Sequence, residues 1–201
     1  AYNGFIKLKE GAMSTRHGTV IFLEALIEEG FEKTKEVLEK KWQSFPNKTD
    51  EEKTQIINAI SIGAIKYSYL TQDREKDVVF DWDKALNFEG HSWPYIQYAY
   101  VRAKKITELG WENNIRDDEG LMLSAYDKAL IQVLSRFEEA LDMTARTYKP
   151  HHLALYAYDL AWEFNSFYVH TPKILEEENK NLKQFRLALV EKTAKTLEKS
   201  L

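Results

Sequence analysis

Cysteine is absent from the 201 residues of this chain. Disulfides, thiolate nucleophiles and cysteine-held zinc are excluded together. Proline is scarce, at 4 residues, so long stretches are free to be helical. No run approaches the ~18 apolar residues that a membrane-spanning helix needs. The opening Ala1-Tyr2-Asn3-Gly4 has neither a basic n-region nor an apolar h-region, so no secretory signal is visible and a cytoplasmic address is expected. Phosphate-cradling Gly-x-Gly-x-x-Gly and Gly-Lys-Ser/Thr loops are missing. No excess of positive charge exists either. Lys and Arg number 28 against 32 Asp and Glu, for a net charge of −4. Residues 94–201 carry 15 against 16, and residues 1–93 carry 13 against 16. Any nucleic-acid contact must therefore come from a local patch or from stacking, not from a general positive field.

What remains is rich in apolar and aromatic residues, 44% and 13% of the chain, with 30% charged. That composition describes a helix-rich globular protein of one large or two small domains. Residues 4–9 and 19–22 read as short strands flanking a glycine-containing loop. Helical periodicity begins at Leu23 and continues to about Trp42, before Pro46 and Asn47. Thr49 and Glu52 have the spacing of a capping box, and Ile56, Ile57, Ile60, Ala64 and Tyr67 follow at helical intervals. A charged connection leads to the short apolar run Val78-Val79-Phe80.

Four helices are expected after residue 93. Their apolar stripes are Ile96–Ala99–Ala103–Ile106, then Leu123–Tyr126–Leu130–Leu134–Phe137–Leu141, then Leu153–Ala157–Leu160–Phe164–Phe167, then Leu182–Phe185–Leu189–Ala194. Gly110, Pro150 and Pro172 punctuate them. The predicted architecture is mainly α, a helical bundle at 94–201 preceded by a small α+β connecting segment within 1–93. Asp81 and Asp83 have no neighbouring histidine and read as a turn or cap, His151-His152 as a helix start, and the Glu176–Glu178 run as a solvated segment. No metal site is expected.

Two stretches carry chemistry. On the helix after Pro94, Tyr95, Tyr98, Arg102 and Lys105 share one face beside the apolar stripe. Two rings and two cations on one face suit RNA, since rings stack on unpaired bases and cations hold phosphates. A tyrosine-rich helix packed on its neighbours, with Arg102 salt-bridged, would use the same residues. In the third bundle helix, Tyr158, Trp162, Asn165 and Val169 lie opposite the apolar stripe, with Tyr168 and His170 near its end. Asn165 can pair with a base edge and Tyr168 can stack a base.

Phe80-Asp81-Trp82-Asp83, Pro94-Tyr95-Ile96-Gln97-Tyr98-Ala99-Tyr100-Val101-Arg102 and the run from Tyr158 to Tyr168 resemble the helical anticodon-binding part of arginine–tRNA ligases, a family of class I aminoacyl-tRNA synthetases. Ala12-Met13-Ser14-Thr15-Arg16-His17-Gly18 resembles that class's Lys-Met-Ser-Lys-Ser signature loop. The resemblance implies that Met13, Ser14, Thr15 and Arg16 touch ATP, with Arg16 stabilising charge that develops on the expelled pyrophosphate. Ala12 stands where the signature's first lysine would be. The resemblance also implies tRNA contacts at Tyr95, Tyr98, Arg102, Lys105, Asn165, Tyr168 and His170, with a pocket between the Pro94 and Leu153 helices preferring the middle cytosine of the anticodon. Arginine tRNA is then the partner, with no DNA and no membrane.

A His-x-Gly-His nucleotide motif and the family's usual apolar tail are not found in the sequence. The resemblance thus implies a C-terminal piece of such a ligase, inactive alone, whose full-length parent uses arginine, ATP and magnesium. Cysteine and glycine ligases share this type of domain. A helical protein–protein adaptor also suits the acidic balance.

Overall fold

Thr49 caps the second helix as its spacing predicts. Its hydroxyl accepts from Glu52 N at 3.2 Å, and its own N–H donates to Glu52 Oε2 at 2.9 Å. In the computed structural model the described residues are 4, 6–8, 11–12, 22–42, 48–110 and 121–200. They fall into two units, Ala1–Tyr95 and Ile96–Leu201.

The first unit runs β1 (Ile6–Leu8), β2 (Gly11–Ala12), α1 (Leu23–Trp42), α2 (Asp50–Leu70), β3 (Val78–Phe80) and α3 (Trp82–Ala85), and contains the start of α4 (Trp93–Gly110). Its sheet has the order β2-β1-β3. β1 is antiparallel to β2 and parallel to β3, with Leu8 opposite both Gly11 and Phe80. One expectation changes here. Ala12 belongs to a strand rather than to a loop, and Val78–Phe80 is a strand of the same sheet. The expected strand at 19–22 lies, apart from Phe22, outside the described residues. A three-residue apolar run is too short for periodicity to type, so only its pairing with β1 identifies it.

Leu26, Ala64, Ile65, Phe80, Ala85 and Leu86 form the core of this unit. Asp81 caps α3 by accepting from Asp83 N at 3.0 Å, the cap its position predicts. On α2 the buried face is Ser61, Gly63, Ala64, Ile65 and Tyr67, shifted from the expected isoleucine stripe. Gly63 explains the shift. A Cβ there would stand 1.8 Å from Trp93 Nε1, so only glycine admits the indole. Gly63→Ala should therefore cost about 1–3 kcal/mol, the usual penalty for overpacking, read as a lower urea midpoint.

The second unit contains the rest of α4 with α5 (Ala125–Ser135), α6 (Phe137–Thr147), α7 (His151–His170), a 3-10 turn (Ile174–Glu176) and α8 (Lys180–Ser200). α7 is central, packing against α5, α6 and α8. It buries Ala157, Leu160, Ala161, Phe164 and Phe167 almost completely. Ile96, Ala99 and Ala103 of α4 are equally buried, as their stripe predicts. His151 begins α7 directly after Pro150, again as expected.

Two helices replace the single one expected over Leu123–Leu141. The backbone at Arg136 leaves helical geometry at φ −86° and ψ 1°, and its N–H turns back to Val133 and Leu134. No glycine or proline marks the break. Beyond it, α6 buries none of its residues. α6 closes on Tyr148, which is left-handed at φ 54°, a conformation usually given to glycine or asparagine.

A buried ion pair joins α5 to α8. Arg186 donates to both Asp127 oxygens, Nε at 3.0 Å and Nη2 at 3.1 Å. Asp127 also closes the cap of α5, accepting from Ser124 N at 2.8 Å. The remaining arm of Arg186 reaches Glu177 Oε2 at 2.9 Å. Glu177 is thus half-buried and paired, where the 176–178 run was expected to be solvated.

Candidate nucleic-acid interface

Pro94 sits in the first turn of α4, where its missing N–H costs nothing. The Ser92 hydroxyl beside it accepts from Tyr95 N at 3.4 Å. The helix then turns Ile96, Ala99 and Ala103 into the core. That leaves Tyr98 and Arg102, one turn apart, on the adjoining face. On α7 the burial of Leu160, Phe164 and Phe167 places Asn165 and Tyr168 at the flank of the packed face.

Four of the seven residues predicted to contact RNA meet here. Arg102 Nη1 donates to Asn165 Oδ1 at 2.6 Å. The Arg102 Cζ lies 4.4 Å from the ring centroid of Tyr98 and 4.4 Å from that of Tyr168. The guanidinium is therefore stacked between two tyrosines while one of its edges binds an amide. Both rings remain open to solvent, Tyr98 at 53% and Tyr168 at 43% exposure.

This arrangement offers three things to a nucleotide. Guanidinium N–H groups not used by Asn165 can donate to base acceptors or to phosphate. The Asn165 amide nitrogen is a second donor, since its oxygen is already engaged. Ring area on Tyr98 and Tyr168 can stack an unpaired base. Cytosine presents acceptors at O2 and N3 on the edge it would otherwise use in pairing, which suits donors of this kind.

The other predicted residues fall elsewhere. Lys105 is exposed one turn beyond Arg102 on α4. Tyr95 is half-buried in the first turn of that helix. His170 stacks on Tyr126 of α5 with centroids 4.5 Å apart and planes 7° from parallel, and its Nδ1 lies 2.9 Å from Ser166 O. It belongs to the seam between α5 and α7. Tyr100, also on α4, turns toward α8 and donates to Glu198 at 3.4 Å. Burial, with the nearby Glu198 carboxylate, pushes its phenol above the usual tyrosine range. Met13, Ser14, Thr15 and Arg16 lie outside the described residues. Trp162 was not among the predicted contacts. It is 55% exposed on α7, on the side that bears Asn165, and such exposure is the signal that periodicity alone does not rank.

Residues 96–201 match the family described as the DALR anticodon binding domain, and residues 3–82 match the catalytic domain of class I (R) tRNA synthetases. The arginine–tRNA ligase of Pasteurella multocida is 37% identical over 202 residues, covering 98% of this chain and 35% of that protein. That of Pyrococcus furiosus is 37% identical over 206 residues, covering 98% and 32%. Among solved structures, the arginyl-tRNA synthetase of Thermus thermophilus superposes with a TM-score of 0.85 at 30% identity, covering 98% of this chain and 32% of that one. The Plasmodium falciparum arginyl-tRNA synthetase gives 0.77 at 28%, with the same coverage. The chain spans about a third of the length of the curated relatives it matches.

Proposed function

Since this chain belongs to the DALR anticodon-binding-domain family, we propose that residues 94–201 read the anticodon of an arginine tRNA, and that residues 1–93 are the closing part of a class I catalytic domain. The activity is then that of the parent, attachment of arginine to its tRNA through an arginyl-adenylate. ATP and magnesium serve that parent reaction, which we place in the cytoplasm. In this reading Met13, Ser14, Thr15 and Arg16 face the phosphates of ATP, and Arg16 supplies the cation.

The observation that carries the reading is the Tyr98–Arg102–Tyr168 stack with Asn165 at its edge. It concentrates a cation, amide donors and two exposed rings in one place on a chain whose overall charge is negative. Such a site gains little from a general electrostatic field and must select by stacking and base edges. The test is binding of this chain to an arginine tRNA transcript at low salt, beside the same transcript with its middle anticodon base changed. The change should cost about 1–3 kcal/mol, the scale of a base-edge contact. Equal affinity for both transcripts would sink the assignment of Arg102 and Asn165 to that base.

A further inference from the structure

The far side of α7 carries a groove that RNA reading leaves unused. α6 buries none of its residues, and between it and α7 lies an open groove of about 310 Å³. That volume is at the low end of the ~300–1,000 Å³ of small-ligand sites. Arg136, Glu139 and Met143 line one side, and Leu155, Tyr156 and Asp159 the other. By helical spacing these α7 residues lie on the face turned away from Asn165 and Tyr168. Tyr156 is the member that demands an explanation. It is only 6% exposed, and its hydroxyl is buried with no hydrogen-bond partner among the described residues. Phenylalanine would fill the same space without the cost of an unmade hydrogen bond. Burial pushes the phenol up to about 12, although the charge of Arg136 opposes the rise. The group is therefore a protonated donor at working pH, with a guanidinium near enough to act beside it. Among the described residues, no ion pair engages Arg136, Glu139 or Asp159.

We infer that this groove binds a free α-amino acid with an apolar side chain, in its zwitterionic form. The ligand carboxylate takes the Tyr156 O–H and the Arg136 guanidinium, donors of the kind that hold carboxylates. The ligand ammonium lies toward Glu139 and Asp159. Met143, 44% exposed, and Leu155, 38% exposed, give the side chain an apolar wall. Charge decides against simpler guests. An anion alone meets two carboxylates for one guanidinium, and a cation alone leaves the Tyr156 O–H unsatisfied. A ligand with both charges answers both sets of groups. The site is separate from the RNA contacts of α4 and α7 and does not depend on them.

The experiment follows the backbone amide resonances of the 201-residue chain during titration with L-leucine. Two analogues serve as controls: 4-methylpentanoate, which lacks the ammonium, and 3-methylbutylamine, which lacks the carboxylate. Leucine should shift amides of residues 136–143 and 152–159 saturably, and those around Arg102 and Asn165 should stay in place. Each analogue should bind about tenfold more weakly, the scale of one hydrogen bond to a charged group. Tyr156→Phe removes only a hydroxyl and should keep the fold, which circular dichroism checks, while weakening leucine by a similar factor. Glu139→Gln combined with Asp159→Asn reads the charges separately. It should weaken leucine and strengthen 4-methylpentanoate. Absence of leucine shifts in this groove would overturn the site. Equal affinity for leucine and 4-methylpentanoate, or unchanged leucine affinity in folded Tyr156→Phe, would overturn the assignment of the zwitterion.

Discussion

Arg186→Met is expected to destabilise the second unit by about 3–5 kcal/mol, the cost of leaving a buried charge without its partner. Asp127 is fully buried, and Arg186 supplies two of its hydrogen bonds. Glu177 would lose a partner as well. Asp127→Leu combined with Arg186→Met should recover most of the loss, because an apolar pair of similar volume often replaces a buried ion pair without penalty. Acidity provides an independent reading. Burial pushes the Asp127 carboxyl up, but hydrogen bonds from Arg186 and Ser124 together outweigh it and hold the group below its ordinary 3.8. A carboxyl depressed in the folded state contributes stability that is complete above the unfolded value and is lost as pH falls through the folded one. Urea unfolding at neutral pH and at a series of values below about 4 should show this acid limb in the unsubstituted chain. The double variant should lose the part of that limb that Asp127 contributes. A single-variant loss under about 1 kcal/mol would contradict the account.

The second large effect concerns RNA. Arg102→Ala removes the cation from between Tyr98 and Tyr168 and strands the Asn165 oxygen. Affinity for arginine tRNA should fall by about 1–3 kcal/mol, and discrimination at the middle anticodon base should relax with it. Lys105→Ala makes the useful contrast. An exposed lysine holding phosphate weakens all transcripts alike and lowers the salt slope by about 1. Titrations of both variants against matched and altered transcripts at several salt concentrations separate the two roles. If Arg102→Ala kept full discrimination and lost only salt dependence, Arg102 would be a phosphate contact and the base reader would lie elsewhere.

Local rules made much of this legible beforehand. The capping box at Thr49, the Asp81 cap, the start of α7 after Pro150 and the burial of Ile96, Ala99 and Ala103 all depend on neighbours within a few residues. Helical spacing also placed Tyr98 with Arg102, and Asn165 near Tyr168. That the two pairs join is a tertiary fact, since Arg102 and Asn165 stand 63 residues apart. Asp127 and Arg186 are likewise 59 apart, and no local spacing rule pairs them. The break at Arg136 was hidden because the apolar spacing continues through it. The backbone turn at Arg136 separates two helices, and what they bury differs with it, α5 contributing Leu130 and Val133 and α6 nothing. Similarly, Val78–Phe80 needed β1 beside it to become a strand.

The third arm of Arg186 gives the buried pair a reach beyond stability. Glu177 directly follows the 3-10 turn Ile174–Glu176, and Lys183 holds the Leu175 carbonyl at 2.7 Å. A stretch of connecting chain is thereby moored to α8 at two points, one of them continuous with the interior. Connecting chain held in this way keeps one course between α7 and α8. Glu177→Gln should consequently speed amide hydrogen exchange at residues 174–177 in a protein whose urea midpoint has scarcely moved.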